Sequence, residues 1–251
     1  MTNGLGSLVG GIGVGFLADR LGFSGVFNSL AVFCVLIVIG ALLCVESPAR
    51  RVAAAESNEK SQQTTIGFLL AFLLVSQLLL AVTNATGSLG RSLAMNLGGF
   101  SKSAITMTAS IGGLVALCLP LFLGWLSDKI GRKWVLIAAH IITSASLILL
   151  AFSGTAWHFY VFAGLFAMLS IPFSVGPAYV MDIVPREKAA RGVSLFQSMF
   201  WTGNILGMAA GGVAFEKLGI SMPILVSSLL PLAGVVLLLL IWDRNRTSVR
   251  P

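Results

Sequence analysis

The stretch GWLSDKIGRKW, residues 124–134, places one acid, three bases and two glycines between two long apolar runs. The rest of the chain is strongly apolar: of its 251 residues, 57% are hydrophobic and 10% are charged, and the mean hydropathy is +0.96. Soluble domains carry roughly a quarter charged residues. The composition therefore predicts an all-α polytopic membrane protein, in which so short a charged stretch is a turn between two membrane-spanning helices.

Eight apolar runs separated by polar breaks are candidate transmembrane helices. We place them near 3–18, 26–45, 66–85, 104–126, 134–152, 158–181, 191–214 and 222–242. The polar segment 46–65 is typical of a cytoplasmic linker. The chain is thus predicted to contain two helices (1–45), the linker (46–65), a six-helix unit (66–243) and a cytoplasmic tail (244–251).

The distribution of positive charge predicts the orientation. Eight spans put both termini on one side, and twelve of the sixteen Lys and Arg residues then fall on that side. The other four are Arg20, Arg91, Lys102 and Lys217. Cytoplasmic loops carry the excess of Lys and Arg, so both termini are predicted to be cytoplasmic, in the plasma (inner) membrane. The net charge of +7 is explained by topology, and no nucleic-acid partner is predicted.

Few residues inside the spans could support catalysis or bind a metal. Cys34, Cys44 and Cys118 lie in apolar runs without paired spacing, which predicts neither a disulfide, nor a metal site, nor a cofactor. His140 is the one titratable residue well inside a span, and no carboxylate is. An intramembrane enzyme would need clustered nucleophiles, acids or ligands, so the sequence predicts no enzyme and a structural role for His140.

The sequence contains an internal repeat. Residues 3–11, NGLGSLVGG, and 204–212, NILGMAAGG, share an Asn, a Leu and three glycines in the same order. Repeats with six spans per unit are typical of secondary transporters. Spans three to eight would then form one complete unit, and spans one and two would be the last helices of another whose first four are absent from this sequence. The glycines predict close helix packing; they are Gly6, Gly10, Gly11, Gly203, Gly207 and Gly211.

The loop at 124–133 follows the pattern G-x-L-[AS]-D-[KR]-x-G-[KR]-[KR]. It resembles the signature loop of the major facilitator superfamily, the twelve-helix secondary transporters. The resemblance implies that the chain corresponds to helices five to twelve, with this loop between helices eight and nine. It also implies that Asp128 is a latch holding the two halves together on the cytoplasmic side. The alternative is an anchor that only fixes orientation.

Elementary physical chemistry assigns roles to the other residues of the loop. Gly124 is expected to let two helices approach closely, and Gly131 to permit a sharp turn at positive φ. The side chains of Lys129, Arg132 and Lys133 are expected to meet anionic lipid headgroups.

Two further segments resemble elements of the family. Residues 6–11 are similar to the G-P-x-x-G-G element of exporters that exchange substrate for protons, although Ser7 replaces the proline. Tight packing is the alternative reading of those glycines. Residues 182–192, DIVPREKAARG, resemble the loop between helices ten and eleven. There Asp182 or Glu187 could pair with an arginine of the same segment, Arg186 or Arg191, or all could be solvated.

The resemblance implies that helices seven, eight, ten and eleven line a central cavity. Polar side chains within these spans are costly in lipid and are therefore candidate substrate contacts. They are Gln77, Asn84, Ser174, Tyr179, Gln197, Trp201 and Asn204. The alternative for each is an interhelical hydrogen bond, or simple packing for Trp201. Pro172 and Pro177 are expected to break span six.

The predicted function is secondary transport of a small organic solute across a lipid bilayer by alternating access, with efflux or antiport against protons favoured. The alternatives are an uptake symporter or facilitator of the same superfamily, and a truncated membrane protein that does not transport.

Overall fold

The computed structural model describes residues 60–241 and, outside that range, only the isolated helical positions Gly25, Asn28, Ala31, Val32 and Val35. Side-chain surroundings are described from residue 67 onward in the continuous range. The predicted span 3–18, most of span 26–45, and the glycines Gly6, Gly10 and Gly11 lie outside the described residues, as does the tail.

Between residues 60 and 241 every regular element is a helix, which confirms the all-α class. The helices are α1 (Lys60–Leu97), α2 (Lys102–Ile130), α3 (Arg132–Ala151), α4 (Ala156–Phe166), α5 (Ile171–Ile183), α6 (Arg186–Leu218) and α7 (Ser221–Leu240). A 3₁₀ turn, Ala167–Ser170, joins α4 to α5, so these two form one continuous segment.

Five helical segments of the described range are long and apolar enough to cross a membrane. They are Gly67–Leu97, Lys102–Ile130, Arg132–Ala151, Ala156–Ile183 and Ser221–Leu240. The α6 helix has 33 residues but is not among them, since polar residues such as Gln197 and Asn204 interrupt its apolar runs. The chain is therefore a multi-pass membrane protein, and the count of eight spans stays a prediction.

The ends of the helices follow local chemistry. Ser101 caps α2, because its Oγ accepts a hydrogen bond from the backbone N–H of Ala104 at 3.2 Å. Gly131 separates α2 from α3 with φ 98° and ψ 134°, a conformation that favours glycine. The α1 helix begins at Lys60, inside the segment predicted as a linker, and continues well past residue 85, where the predicted span ended.

The interruption predicted at the prolines is found in the turn before the first of them. Pro172 lies in the first turn of α5, but α4 and α5 are continuous, so its missing N–H cannot bond the Met168 carbonyl, which accepts from the Ile171 N–H instead. Pro177 lies inside α5, which continues through it. The change of helix type falls at Ala167–Ser170, immediately before α5.

Two buried apolar clusters stabilise the bundle. One includes Leu73, Leu136, Phe196 and Leu238, and the second includes Leu80, Leu147, Phe162, Phe215 and Ile224. Together they join α1, α3, α4, α5, α6 and α7. Many large apolar side chains point outward instead, which suits helices solvated by lipid.

Candidate functional site: a cavity between four helical segments

An open cavity of about 700 Å³ lies between α1, α2, the α4–α5 segment and α6. Small-molecule sites have volumes of roughly 300–1,000 Å³. Its polar wall consists of Asn84, Ser88, Arg91, Ser170, Ser174, Gln197 and Asn204, and its larger apolar wall includes Phe166, Leu169, Phe173, Phe200 and Trp201. The cavity is therefore of a size and chemistry to hold a small organic molecule.

Five of the seven predicted cavity residues line this space: Asn84, Ser174, Gln197, Trp201 and Asn204. The structure places the other two elsewhere. Gln77 and Tyr179 are buried, with relative exposures of 2% and 4%, and are not part of the cavity wall. The Gln77 Nε2 has no hydrogen-bond partner among the described residues.

Asn84 and Asn204 join two walls of the cavity. The Asn84 Nδ2 donates to the Asn204 Oδ1 at 2.8 Å, and the Asn204 Nδ2 donates to the Phe200 carbonyl at 2.9 Å. These side chains therefore make an interhelical hydrogen bond and also line the cavity. The two predicted roles, interhelical hydrogen bond and substrate contact, are thus compatible.

The aromatic wall is built by Phe173, Phe200 and Trp201. The Phe200 ring packs edge-to-face against Phe173 at 4.3 Å and against Trp201 at 5.6 Å between centroids. Trp201 is 64% exposed and lines the cavity, which favours the cavity-wall reading over simple packing.

Most of the other residues that line the cavity were not predicted, among them Ser88, Arg91, Ser170, Phe173 and Phe200. Arg91 was assigned to an outer loop, yet it lies inside α1 and lines the cavity. The spacing of Asn84, Ser88 and Arg91 is i, i+4, i+7, which puts all three on one helix face. That spacing could have found them if the predicted span had not ended at residue 85.

The loop at 124–134 is organised around Arg132. Its Nη1 donates to the Asp182 Oδ1 and to the Ala178 carbonyl, both at 2.8 Å, and its Nη2 contacts the Asp128 Oδ1 at 3.4 Å. Asp182 was expected to pair with Arg186 or Arg191, if at all, and it pairs with Arg132 instead.

The remaining loop residues have separate contacts. Lys133 Nζ donates to the Ile241 carbonyl at 2.6 Å, near the end of α7, and Lys129 Nζ lies 3.8 Å from the centroid of the Trp125 ring. Gly124 was expected to let two helices approach closely, and the described bundle shows no such approach there. A Cβ at that position would have no atom within 4 Å, so no described helix approaches it closely.

Comparison with known proteins places the chain in a family. The family model described as Major Facilitator Superfamily matches residues 64–251. The chain belongs to the Major Facilitator Superfamily. The match spans the six-helix part of the chain and includes both the 124–134 loop and the cavity.

Curated relatives of this superfamily chain include two called multidrug resistance protein MdtG. The one from Escherichia fergusonii is 28% identical over 244 residues, covering 92% of this chain and 59% of the relative. The one from Enterobacter lignolyticus is 30% identical over 247 residues, covering 92% and 56%. A putative multidrug resistance protein MdtD from Yersinia pestis is 30% identical over 139 residues, covering 54% and 29%. The chain thus spans little more than half the length of the MdtG relatives.

The predicted packing glycines of this superfamily chain differ in their surroundings. A Cβ on Gly203 would lie 2.6 Å from the Leu78 carbonyl oxygen, and one on Gly207 would lie 2.7 Å from that of Val82. At Gly211 the nearest atom would be 3.7 Å away, an ordinary contact. Gly203 and Gly207 therefore allow α6 to lie directly against the backbone of α1.

His140 lies away from the cavity, in the packed interior between α1, α3 and α7. Its Nδ1 is 2.8 Å from the Leu136 carbonyl oxygen and its Nε2 is 3.0 Å from the Ser76 Oγ. Both ring nitrogens thus have protein partners, as a structural role requires. Among the residues described, no three His, Cys, Asp or Glu side chains lie together as a metal site would need.

Proposed function

We propose that this chain acts in secondary transport, moving a small organic solute across the inner membrane by alternating access, in the direction of export. The observation that carries the proposal is the cavity between α1, α2, the α4–α5 segment and α6, lined by Asn84, Gln197, Trp201 and Asn204. Such polar groups are costly within a bilayer and are retained there where they bind a solute or water.

The comparisons support the direction of transport. The relatives are called multidrug resistance proteins, and export of a toxic solute is a direct way for a transporter to confer resistance. Their bacterial origin supports the inner membrane as the location. Protons are the expected counter-ion, as for other exporters of this type. None of the described cavity-lining residues is a carboxylate.

There are two alternatives, and the experiment below decides the second, since release from liposomes does not depend on the direction of net flux in the cell. Uptake by symport or facilitation would use the same cavity with the opposite net flux. The second alternative is a membrane protein that does not transport.

The test uses the 251-residue chain reconstituted into liposomes loaded with one of two fluorescent probes of equal ring size. One is 1-naphthalenesulfonate, a permanent anion, and the other is (1-naphthylmethyl)trimethylammonium, a permanent cation. We expect saturable release of at least one probe. Trp201→Ala should slow that release by about threefold or more, because it removes aromatic contact area within the cavity.

Trp157→Ala is the matched control, because Trp157 is an exposed tryptophan at the start of α4 that does not line the cavity. It should leave the rate unchanged. Release of neither probe above the rate of protein-free liposomes would overturn the transport proposal in favour of the non-transporting alternative. Equal slowing by both substitutions would show that solute does not pass through the cavity.

A further inference from the structure

We infer that the cavity selects solutes carrying an oxyanion, such as a carboxylate, sulfonate or phosphate, and that Arg91 binds that group. The inference rests on the proposed transport function. Arg91 lies two turns beyond Asn84 on the same face of α1, and both residues line the cavity. A guanidinium cation therefore faces the space in which the solute would bind.

The charge of Arg91 is not neutralised by the described protein. Its Nε is buried and has no hydrogen-bond partner there. The two ion pairs found within residues 60–241 both belong to Arg132. Glu216 lies in the last turn of α6. Its side chain is exposed and is not paired with Arg91. An unpaired cation in a low-dielectric setting is costly, and a bound anion would relieve that cost.

The surrounding wall matches an anionic group with an apolar body. The Ser170 Oγ is a second buried polar atom of the cavity wall without a described partner, and Ser88 lies one turn before Arg91. Hydroxyl groups can donate hydrogen bonds to an oxyanion. The described lining contains no Asp or Glu to attract a cation or repel an anion. Phe200 and Trp201 supply apolar surface for the rest of the solute.

Arginine is well suited to this role because its planar guanidinium can bind a carboxylate, sulfonate or phosphate through two parallel hydrogen bonds. A lysine at the same position would keep the charge but lose that geometry. The substitution Arg91→Lys thus separates charge from bidentate recognition, and Arg91→Gln removes both.

The experiment measures equilibrium binding of the two naphthalene probes to the 251-residue chain in nanodiscs of phosphatidylcholine, a lipid without net charge. Nanodiscs without protein give the lipid background. We expect the sulfonate to bind about tenfold or more tightly than the ammonium probe. Arg91→Gln should weaken sulfonate binding by about tenfold and abolish the preference, and Arg91→Lys should weaken it by less. Excess inorganic sulfate should displace the sulfonate probe from the wild type.

Lys217→Gln is the matched control, because it removes an exposed positive charge from the last turn of α6 outside the cavity. It should leave both affinities unchanged. Equal affinity of the wild type for the two probes would overturn the inference, and so would unchanged sulfonate binding by Arg91→Gln. In either case, Trp201-dependent release from liposomes would still stand as evidence for transport. The sulfate competition decides the inference even if Arg91→Gln fails to insert, since sulfate without effect on the wild type would overturn it.

Discussion

Arg132 connects the charged loop to the wall of the cavity. Its two bonds of 2.8 Å reach Asp182 and the Ala178 carbonyl on α5, and α5 also carries Ser174 of the cavity wall. Asp128, by contrast, has a side chain that is 67% exposed, and its contact with Arg132 is longer, at 3.4 Å. The bond to α5 therefore does most to fix the loop, and the Asp128 carboxylate is accessible to a further partner, as a latch requires.

This geometry makes the role of Asp128 testable. Asp128→Ala should slow release of the naphthalene probes by about fivefold or more, the lower end of typical conformational couplings. Membrane insertion and the thermal unfolding midpoint should not change measurably, because an exposed ion pair contributes about 0–1 kcal/mol. The measurements are liposome release and thermal unfolding in detergent.

Asp182→Ala is the comparison for Asp128→Ala, since it removes the shorter bond to Arg132 and should lower the unfolding midpoint more. If Asp128→Ala transports as fast as the wild type, Asp128 is not a latch, and the loop is an anchor for orientation.

At the scale of helices, the contact between α1 and α6 sets the geometry of the cavity. Gly203 and Gly207 bring α6 against the α1 backbone at Leu78 and Val82. Asn204 follows Gly203 directly, and this close approach is what lets it reach Asn84 at 2.8 Å. The packing glycines and the polar cavity residues of α6 thus depend on each other.

A single methyl group should disturb that contact. In Gly207→Ala the new Cβ would lie 2.7 Å from the Val82 carbonyl oxygen and 2.8 Å from the Ala85 Cβ, so the helices must separate. We expect a loss of about 1–3 kcal/mol in the free energy of unfolding, typical of overpacking. The unfolding midpoint in detergent measures it.

Gly212→Ala is a matched control on the same helix, because a Cβ there would meet nothing within 4 Å. Alanine is favoured over glycine within a helix, so this variant should be as stable as the wild type or slightly more so. Equal destabilisation by both variants would contradict the packing role of Gly207.

The same two helices show how far the sequence predicts the site. Gln197, Trp201 and Asn204 follow the helical period, and all three line the cavity, because spacing determines the face of a helix. Arg91 shares a face with Asn84 but was missed, because α1 extends to Leu97 and an arginine resembles a loop residue in an apolarity profile. Spacing alone could not tell which face meets a neighbour.

Gln77 shows that spacing does not tell whether a helix face meets a cavity or another helix. It lies seven residues before Asn84 and so on the same side of α1, yet it is buried away from the cavity. Polarity marks a residue as costly in lipid, but whether it faces a cavity or another helix depends on the tertiary packing. Of the two prolines expected to break span six, Pro172 follows a change of helix type, whereas α5 continues through Pro177.

At the scale of the whole molecule, the described helices differ in how much of them is covered. In the most apolar stretch of α2, 6% of the residues are buried, compared with 56% in α3. The α2 helix also forms one wall of the open cavity, through small residues such as Gly112 and Ala116. The cavity therefore lies at an open side of the bundle that residues 60–241 form. The helix that walls it there, α2, is the least buried of the five apolar segments.

The orientation of this bundle in the membrane follows from the charges and can be tested by labelling. The cysteines Cys34, Cys44 and Cys118 are replaced by serine, and single cysteines are then introduced at Ser57 in the linker, Ser248 in the tail and Gly154 between α3 and α4. Each Lys or Arg near an anionic surface contributes about 1 kcal/mol, so the side with twelve of them should face the cytoplasm.

A membrane-impermeant maleimide added to intact cells should therefore label Gly154→Cys at once, and label Ser57→Cys and Ser248→Cys only after permeabilisation. Labelling at Gly154 controls for expression and reactivity, because this exposed turn is expected on the outer side. If the linker or the tail reacts in intact cells, the positive side does not face the cytoplasm. The loop at 124–134 would then lie on the outer surface, where Asp128 could not act as a cytoplasmic latch, and export through this cavity would lose its assigned direction.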